Sequence, residues 1–246
     1  MLVSDKIDFI VDWILNYTKK ITNQPITLIV GVSGGVDSAI TSTLSAKTGL
    51  KTIAVSMPIK QNVNQHDLSI QHLNWLKTNF SNVDTQVINL DNIFISFKEL
   101  MKNYDNELAF ANSRSRLRMI TLYQIAQHNN GLVVGTGNKV EDFGVGFFTK
   151  YGDGGVDISP IADCTKTNVW EIAKELKIIE EIIKAAPTDG LWEDSRSDES
   201  QLGLTYNQIE EAMNNSDSQY YKRYNEIRKK NLHKMVPIPI CEIKDK

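Results

Sequence analysis

The chain has 246 residues, 41% of them hydrophobic, and a net charge of −3. That is enough apolar material for one α/β domain, and too little basic excess for a general nucleic-acid surface. No apolar run reaches the roughly 18 residues a membrane span needs, and the N-terminus lacks the basic-then-apolar order of a secretion signal.

Ile7, Ile10, Val11, Ile14 and Leu15 recur at helical spacing and predict an amphipathic helix over residues 4–20, ended by Asn23-Gln24-Pro25. Ile26 to Val32 reads as a buried strand, Ser33-Gly34-Gly35 as a turn, and Val36 to about Lys47 as a helix stopped by Gly49. A second strand is predicted from Thr52 to Met57, closed by Pro58. A helix from Asn64 to about Asn79 follows, with Leu68, His72, Leu73 and Leu76 on one face. Thr85 to Leu90 reads as a third strand, and residues 92–102 and 107–129 as helices. Leu132 to Thr136 reads as a fourth strand running into a glycine loop. Beyond residue 143 the character changes: a glycine-rich loop over 147–157, helices at 165–176 (Thr165 the N-cap) and 178–186, a polar loop over 187–203, helices at 205–214 and 217–232, and a Pro-Ile-Pro tail.

Strands alternating with helices predict a doubly wound, mostly parallel sheet with helices on both faces, a Rossmann-like α/β fold in a single domain spanning residues 1–246. Ligands in such sheets sit beyond the carboxyl ends of the strands, so the loops over 33–38 and 135–142 are expected to face one crevice. Cys164 and Cys241 lie far apart and match no metal spacing. Both read as free thiols of a reducing compartment, and the cytoplasm is the expected location.

The strongest chemical signal is Leu28-Ile-Val-Gly-Val-Ser-Gly-Gly-Val-Asp-Ser-Ala39. Glycines let backbone N–H groups converge on an anion, and the helix start behind them adds partial positive charge. This is a phosphate cradle but no Walker A loop, because no Gly-Lys-Ser/Thr follows. It offers Asp37 and Ser38 instead, and a carboxylate beside phosphates makes sense with a Mg2+ between them. After the fourth strand, Gly135-Thr-Gly-Asn-Lys-Val-Glu141 lacks the third glycine of a dinucleotide fingerprint. At the same sheet edge it nonetheless offers Thr136 for a nucleotide contact and Glu141 as a second Mg2+ ligand. Arg114, Arg116 and Arg118 share one predicted helix, and spacing alone leaves open whether any of them clamps a phosphate or carboxylate. Lys150 and two carboxylates sit in the 149–157 loop, Lys166 at a helix start and His233-Lys234 near the C-terminus; each is also compatible with an ordinary surface role. His66, His72 and His128 are assigned to helix surfaces or the core, and the four tryptophans to packing.

These segments stand in the order seen in the NAD synthetases: Ser33-Gly-Gly-Val-Asp-Ser38, Asn112 to Met119, Gly135-Thr-Gly-Asn138, Phe148-Thr-Lys-Tyr-Gly-Asp-Gly-Gly155, Ala186-Pro-Thr188, Ser197-Asp-Glu199 with Leu202-Gly203, and His233-Lys234. The chain resembles that family over about residues 4–240. The first loop alone is similar to PP-loop ATP pyrophosphatases in general, whereas the Phe-Thr-Lys-Tyr-Gly-Asp-Gly-Gly run is specific to this family. The resemblance implies an adenine nucleotide alpha hydrolase-like fold and an ATP-dependent amidation. The nicotinate carboxylate of deamido-NAD attacks the ATP α-phosphate, pyrophosphate leaves, and ammonia attacks the acyl-adenylate to give NAD and AMP.

Carried over by position, the resemblance makes Gly31, Val32, Ser33, Gly34, Gly35, Val36, Asp37 and Ser38 the ATP cradle, with Thr136, Lys166 and Thr188 as further ATP contacts. It implies Asp37, Lys166 and Thr188 as the catalytic set and Asp37 and Glu141 as Mg2+ ligands. It implies Arg116, Lys150, Asp157, His233 and Lys234 as the deamido-NAD contacts. It further implies a homodimer with the dinucleotide at the subunit interface and a loop over 191–200 that orders on the substrates, while charge and hydropathy predict no nucleic-acid or membrane partner. Ser115 departs from a common alanine, and Met235 from an arginine that often follows His-Lys. Residues 141–150 are one longer than in some members, which leaves Asp142 as the alternative to Glu141 as metal ligand. The phosphate loop starts near residue 31, leaving no space before it for a glutaminase domain, so free ammonia is the expected nitrogen source. The rival readings are another PP-loop enzyme, acting on a nucleotide base or a tRNA, and a regulatory protein that holds ATP without turnover.

Overall fold

Apolar runs separated by helices fold here into a four-stranded sheet whose two faces are both covered. The computed structural model describes residues 1–21, 24–60, 63–187 and 198–243. The strands are β1 (Thr27–Gly31), β2 (Thr52–Ser56), β3 (Val83–Val87) and β4 (Gly131–Val134), all parallel, in spatial order β3-β2-β1-β4. The chain winds outward from β1 and then returns to lay β4 on the other side. The gap beyond the carboxyl ends of β1 and β4 is therefore the switch point, where open α/β sheets take their ligands.

The helices are α1 (Val3–Ile21), α2 (Val36–Lys47), α3 (Val63–Asn79), α4 (Asp91–Leu100), α5 (Glu107–His128), α6 (Lys166–Glu175), α7 (Glu180–Lys184), α8 (Asp198–Leu202), α9 (Tyr206–Asn214) and α10 (Tyr221–Met235). Leu28 and Val30 of β1 bury against α1, α2, α6 and α7, whereas Ile29 buries with Ile53, Val55 and Val133 against Phe94 of α4 and Phe110 of α5. Successive residues of β1 thus enter opposite cores, which is why the strand reads as continuously apolar instead of alternating. A third cluster holds the C-terminal helices: Ile209 and Tyr224 of α9 and α10 pack on Val140 and Val145.

The predicted doubly wound parallel sheet is present, with some displaced boundaries. The third strand is two residues earlier than expected, because pairing of Thr52 with Val83 and of Ser56 with Val87 fixes its register. Ile88 and Leu90, which drew the prediction onward, instead carry the chain back over β2: their N–H groups donate to the Ser56 and Pro58 carbonyls at 2.9 and 3.0 Å. The fourth strand ends at Val134 because the Gly135 N–H donates to the Ile158 carbonyl at 2.7 Å. The predicted loop over 187–203 contains the short α8, and the last helix starts four residues late and runs through His233-Lys234. Trp13, assigned to packing, stands 39% exposed and stacks on Tyr17. Residues 139–145 form a π-helix that sequence spacing does not announce. A π turn takes one more residue than an α turn.

Candidate active site

Three helix starts converge on the switch point: Asp37 in the first turn of α2, Glu141 in the first turn of the π-helix, and Lys166 as the first residue of α6. The phosphate loop before α2 is closed on itself. Ser38 Oγ accepts the Ser33 N–H at 3.2 Å and donates to the Gly35 carbonyl at 2.9 Å. Gly34 adopts φ +93°, and a Cβ there would lie 2.4 Å from the Gln65 carbonyl oxygen. Only glycine serves at that position. Beneath the loop, the Ser42 hydroxyl donates to the Ser38 carbonyl at 2.8 Å and sits 2.9 Å from His72 Nε2. Burial pushes the His72 imidazole down to about 4, so it is neutral at physiological pH.

Asn138 joins the two loops. Its side-chain oxygen accepts the Val140 and Glu141 N–H groups, both at 3.0 Å, and caps the π-helix. Its amide donates to Asp37 Oδ1 at 2.9 Å. An Asn directly before a carboxylate-bearing turn is an N-cap signal, so this tie was legible in principle. Thr165 is the N-cap predicted for α6, accepting the Asn168 N–H at 3.3 Å.

Lys166 is only 1% exposed. Its Nζ donates to Asp37 Oδ2 at 2.6 Å and to Glu141 Oε1 at 2.9 Å. Burial opposes the lysine's charge, but the two carboxylates outweigh it and hold the ammonium above the ordinary lysine range. The carboxylates split. At Asp37 burial wins, and the carboxyl is pushed up despite Lys166. At Glu141, Lys166 and the Tyr206 hydroxyl overcome burial and hold the carboxyl below its ordinary value. Tyr206 of α9, absent from the sequence-based set, donates to Glu141 Oε1 at 2.6 Å.

Asp37, Glu141 and Lys166 line a pocket of about 510 Å³, and Tyr206 stands behind its wall. The pocket receives Gly31 through Ser38, Thr136, Glu141, Lys166 and Lys234, which are the ATP, metal and one of the dinucleotide positions named above. Thr188, and residues 191–197 of the loop expected over the substrates, lie outside the described residues. The other dinucleotide positions fall outside the pocket lining. Arg116 Nε donates to the Lys150 carbonyl at 3.2 Å. Asp157 accepts the Tyr123 hydroxyl at 3.0 Å and the Val133 N–H at 2.8 Å, pinning its loop to β4. His233 is exposed on α10. Of the three arginines, Arg118 is the one on the pocket wall, with Nε donating to the Met57 carbonyl at 3.0 Å. Ser115 has a larger role than its small size suggests. Its hydroxyl donates to Asp153 Oδ1 at 2.7 Å and accepts the Asp153 N–H at 2.8 Å, bracing the glycine-rich loop.

The donor set fits Mg2+. Two carboxylates already draw a cation, the Lys166 ammonium, between them. Asp142 and Asp153 also line the wall, beside Lys166 and Lys234, and burial pushes both carboxyls above the ordinary carboxylate range. Among the described residues no group of three or more His, Cys, Asp or Glu side chains forms a closed cage. Mg2+ characteristically takes one or two carboxylates and completes its octahedron with phosphate oxygens and water.

A glycine phosphate loop at the switch point of a parallel sheet, facing a lysine held between two carboxylates, defines a Rossmann-like α/β protein built to handle phosphate. The family model for NAD synthase matches residues 6–246. The NH(3)-dependent NAD(+) synthetase of Carboxydothermus hydrogenoformans is 40% identical over 211 residues, covering 84% of this chain and 83% of that protein. The enzyme of the same name from Mesoplasma florum is 37% identical over 85% of this chain and 84% of its own length. Among solved structures, the NMN synthetase from Francisella tularensis superposes with a TM-score of 0.89 at 28% identity, over 99% of this chain and all of that one (100%). The NH3-dependent NAD synthetase from Campylobacter jejuni superposes at 0.79 with 24% identity, over 98% of this chain and 100% of that one, a likeness of fold. The chain belongs to the NAD synthase family. It is an enzyme of the ligase class, in a family that catalyses the final step of NAD biosynthesis.

Proposed function

We propose that the pocket binds ATP and deamido-NAD and joins ammonia to the nicotinate carboxyl through an acyl-adenylate. A nicotinate carboxylate oxygen forms a bond to the α-phosphorus of ATP while the bond from that phosphorus to the bridging β-phosphate oxygen breaks, and pyrophosphate leaves. Ammonia then bonds to the acyl carbon, the acyl–oxygen bond breaks, AMP leaves, and the nitrogen sheds a proton. A carboxylate is a poor electrophile, and adenylation supplies its leaving group. The protein's task is to hold two anions together and offset charge as it develops.

The observation that carries this reading is the Asp37–Lys166–Glu141 arrangement behind the glycine loop. The loop N–H groups and the start of α2 favour the phosphates, and Lys166 and Thr136 reach the same pocket. Asp37 and Glu141 would hold Mg2+, which screens the polyphosphate from these carboxylates. Arg116, Lys150, Asp157 and His233 would complete the dinucleotide site from outside the pocket, with Lys234 at its rim. Thr188 would add an ATP contact. We infer a cytoplasmic homodimer acting as one domain. The exposed apolar residues Ile93, Leu108 and Ile120 on α4 and α5 support a subunit contact beside that site. Among the described residues no helix is long and apolar enough to cross a membrane.

One incubation with ATP, Mg2+, deamido-NAD and ammonium tests the reading. NAD, AMP and pyrophosphate in equal amounts are expected; ADP in place of AMP would overturn it. A second acceptor is favoured by one observation, the end-to-end superposition on an NMN synthetase. Nicotinate mononucleotide shares the nicotinate, ribose and phosphate of the dinucleotide, so the same pocket would adenylate it. Comparing kcat/KM for the two acceptors ranks them, and no turnover of the mononucleotide removes this second reading.

A further inference from the structure

Tyr206 is 2% exposed, and its ring meets Trp170 edge-on at 6.1 Å. Its hydroxyl lies 2.6 Å from Glu141 Oε1 and 3.1 Å from Asp198 Oδ2. Its ring faces the Lys166 ammonium at 4.9 Å from the centroid. One side chain therefore touches two of the three charged groups at the phosphate site and reaches a third carboxylate on α8. The placement is firmly built. Thr205 and Gln208 form a reciprocal capping box at the start of α9, and the Tyr206 N–H donates to Glu199 Oε1 at 2.9 Å.

We propose that Tyr206 is a positioning residue for cation and ATP binding: its hydroxyl fixes Glu141 against Asp37 and Lys166, and its ring confines the Lys166 ammonium. The proposal rests on the reading of Asp37 and Glu141 as the pair that holds Mg2+. A buried carboxylate has several rotamers, and only some aim it at Asp37. Lys166 alone does not choose among them, because an ammonium donates in three directions on a flexible stem. A phenol on a capped helix has one position, so its short hydrogen bond selects the rotamer. Groups that orient a metal-holding side chain in this way typically change metal affinity by about 10–100-fold when removed. Tyr206 also ties this geometry to α8 through Asp198.

The test is calorimetric and needs no turnover. The Kd for ATP is measured with saturating Mg2+ and again with EDTA, and the ratio reports the cation's share of binding. Tyr206→Phe keeps the ring and removes the hydroxyl. It is expected to shrink that ratio about tenfold while leaving the EDTA value within twofold. An unchanged ratio overturns the proposal, and equal weakening with and without Mg2+ overturns it too, because that is what a loosened fold would give. Asp37→Asn and Glu141→Gln separate this failure from failure of the underlying reading. Both are expected to collapse the ratio, and if neither does, the cation assignment itself is wrong. Tyr206→Leu, which also lacks the hydroxyl, decides the case should Tyr206→Phe not fold, with the same expected loss and the same overturning result. Asp198→Asn, which retains the phenol, checks the contact with α8. It is expected to leave the ratio within about threefold, and a tenfold loss would assign the effect to α8 instead of to the hydroxyl.

Discussion

The phosphate site and the residues assigned to the dinucleotide differ in what holds them. Asp37, Glu141 and Lys166 come from three separate helix starts, and each has its charge answered within the chain. Arg116, Lys150, Asp157 and His233 stand outside the lining of the pocket that holds the first group. Arg116 gives its Nε to a backbone carbonyl, and both Asp157 oxygens are occupied in fixing a loop to β4. The first region is prebuilt and buried. The second lies outside that pocket, and its assigned role rests on the proposed dinucleotide site. Breaking a prebuilt charged site should cost folding stability and chemistry together, whereas breaking the second should cost affinity alone.

Lys166→Gln probes the first half of that contrast and should have the largest effect. It leaves Asp37 and Glu141 facing each other without their cation, and removing one partner of a buried charge group costs roughly 3–5 kcal/mol. Turnover at a temperature where the variant stays folded should fall about 10²–10³-fold, the scale of losing one preorganised electrostatic contact. The pH dependence has a definite sign. The folded lysine holds its proton more tightly than an unfolded one, so its contribution is complete below the ordinary value of 10.5 and fades only as pH climbs through the raised value. Glu141 is depressed, so its part is present above its ordinary 4.5 and fades as pH falls. Melting curves carried below pH 4.5 and above pH 10.5 should therefore show wild type losing stability at both ends and Lys166→Gln losing less at each, with neither contribution fading between those limits. Full turnover in that variant would remove Lys166 from the chemistry.

Arg116→Ala probes the second half. Its melting temperature should stay within a few degrees of wild type, since the side chain makes a single hydrogen bond at the surface. KM for deamido-NAD should rise about 10–100-fold, the worth of a charged hydrogen bond of roughly 1.5–3 kcal/mol. KM for ATP should stay within twofold. Equal loss for both substrates would mean that Arg116 serves the ATP pocket, and the contrast between the regions would fail there.

The same contrast explains what the sequence made legible. The phosphate loop was readable because Gly34 and the β1–α2 junction obey local rules of backbone conformation, and the parallel sheet because β1 and β2 are buried on both faces and so carry continuous apolar runs, Leu28 to Val30 and Ile53 to Val55. Asp37, Glu141 and Lys166 were located by position, but nothing local says that Lys166, 129 residues beyond Asp37, lies against it. Tyr206 was missed for the same reason. On α9 it reads as an ordinary apolar position at helical spacing, and its hydroxyl bonds reach residues 65 and 8 positions away. The role of Ser115 was not legible because its partner Asp153 sits 38 residues on. The third strand was misplaced because its register is set by β2, while its own residues are mostly exposed at the sheet edge.

The smallest expected effect concerns the scaffold under the phosphate loop and sharpens the claim that this region is prebuilt. His72 is buried against Ser42 and stacked on Trp75, and its imidazole is held down at about 4 against an ordinary 6.5. The native state therefore refuses a proton that the unfolded chain accepts, and stability must fall as pH drops from 6.5 toward 4. Each tenfold difference in proton affinity between the folded and the unfolded chain is worth about 1.36 kcal/mol, so the loss approaches roughly 3 kcal/mol at the acid end. His72→Gln keeps a hydrogen-bonding group near Ser42 and removes the titration. At pH 7.5 it should change the melting temperature by only a few degrees, and its melting temperature should decline less steeply than wild type between pH 6.5 and pH 4. Parallel slopes would assign the acid sensitivity to other groups and leave His72 as packing alone. A shallower slope would make the neutral imidazole one of the fixed parts on which the phosphate loop rests.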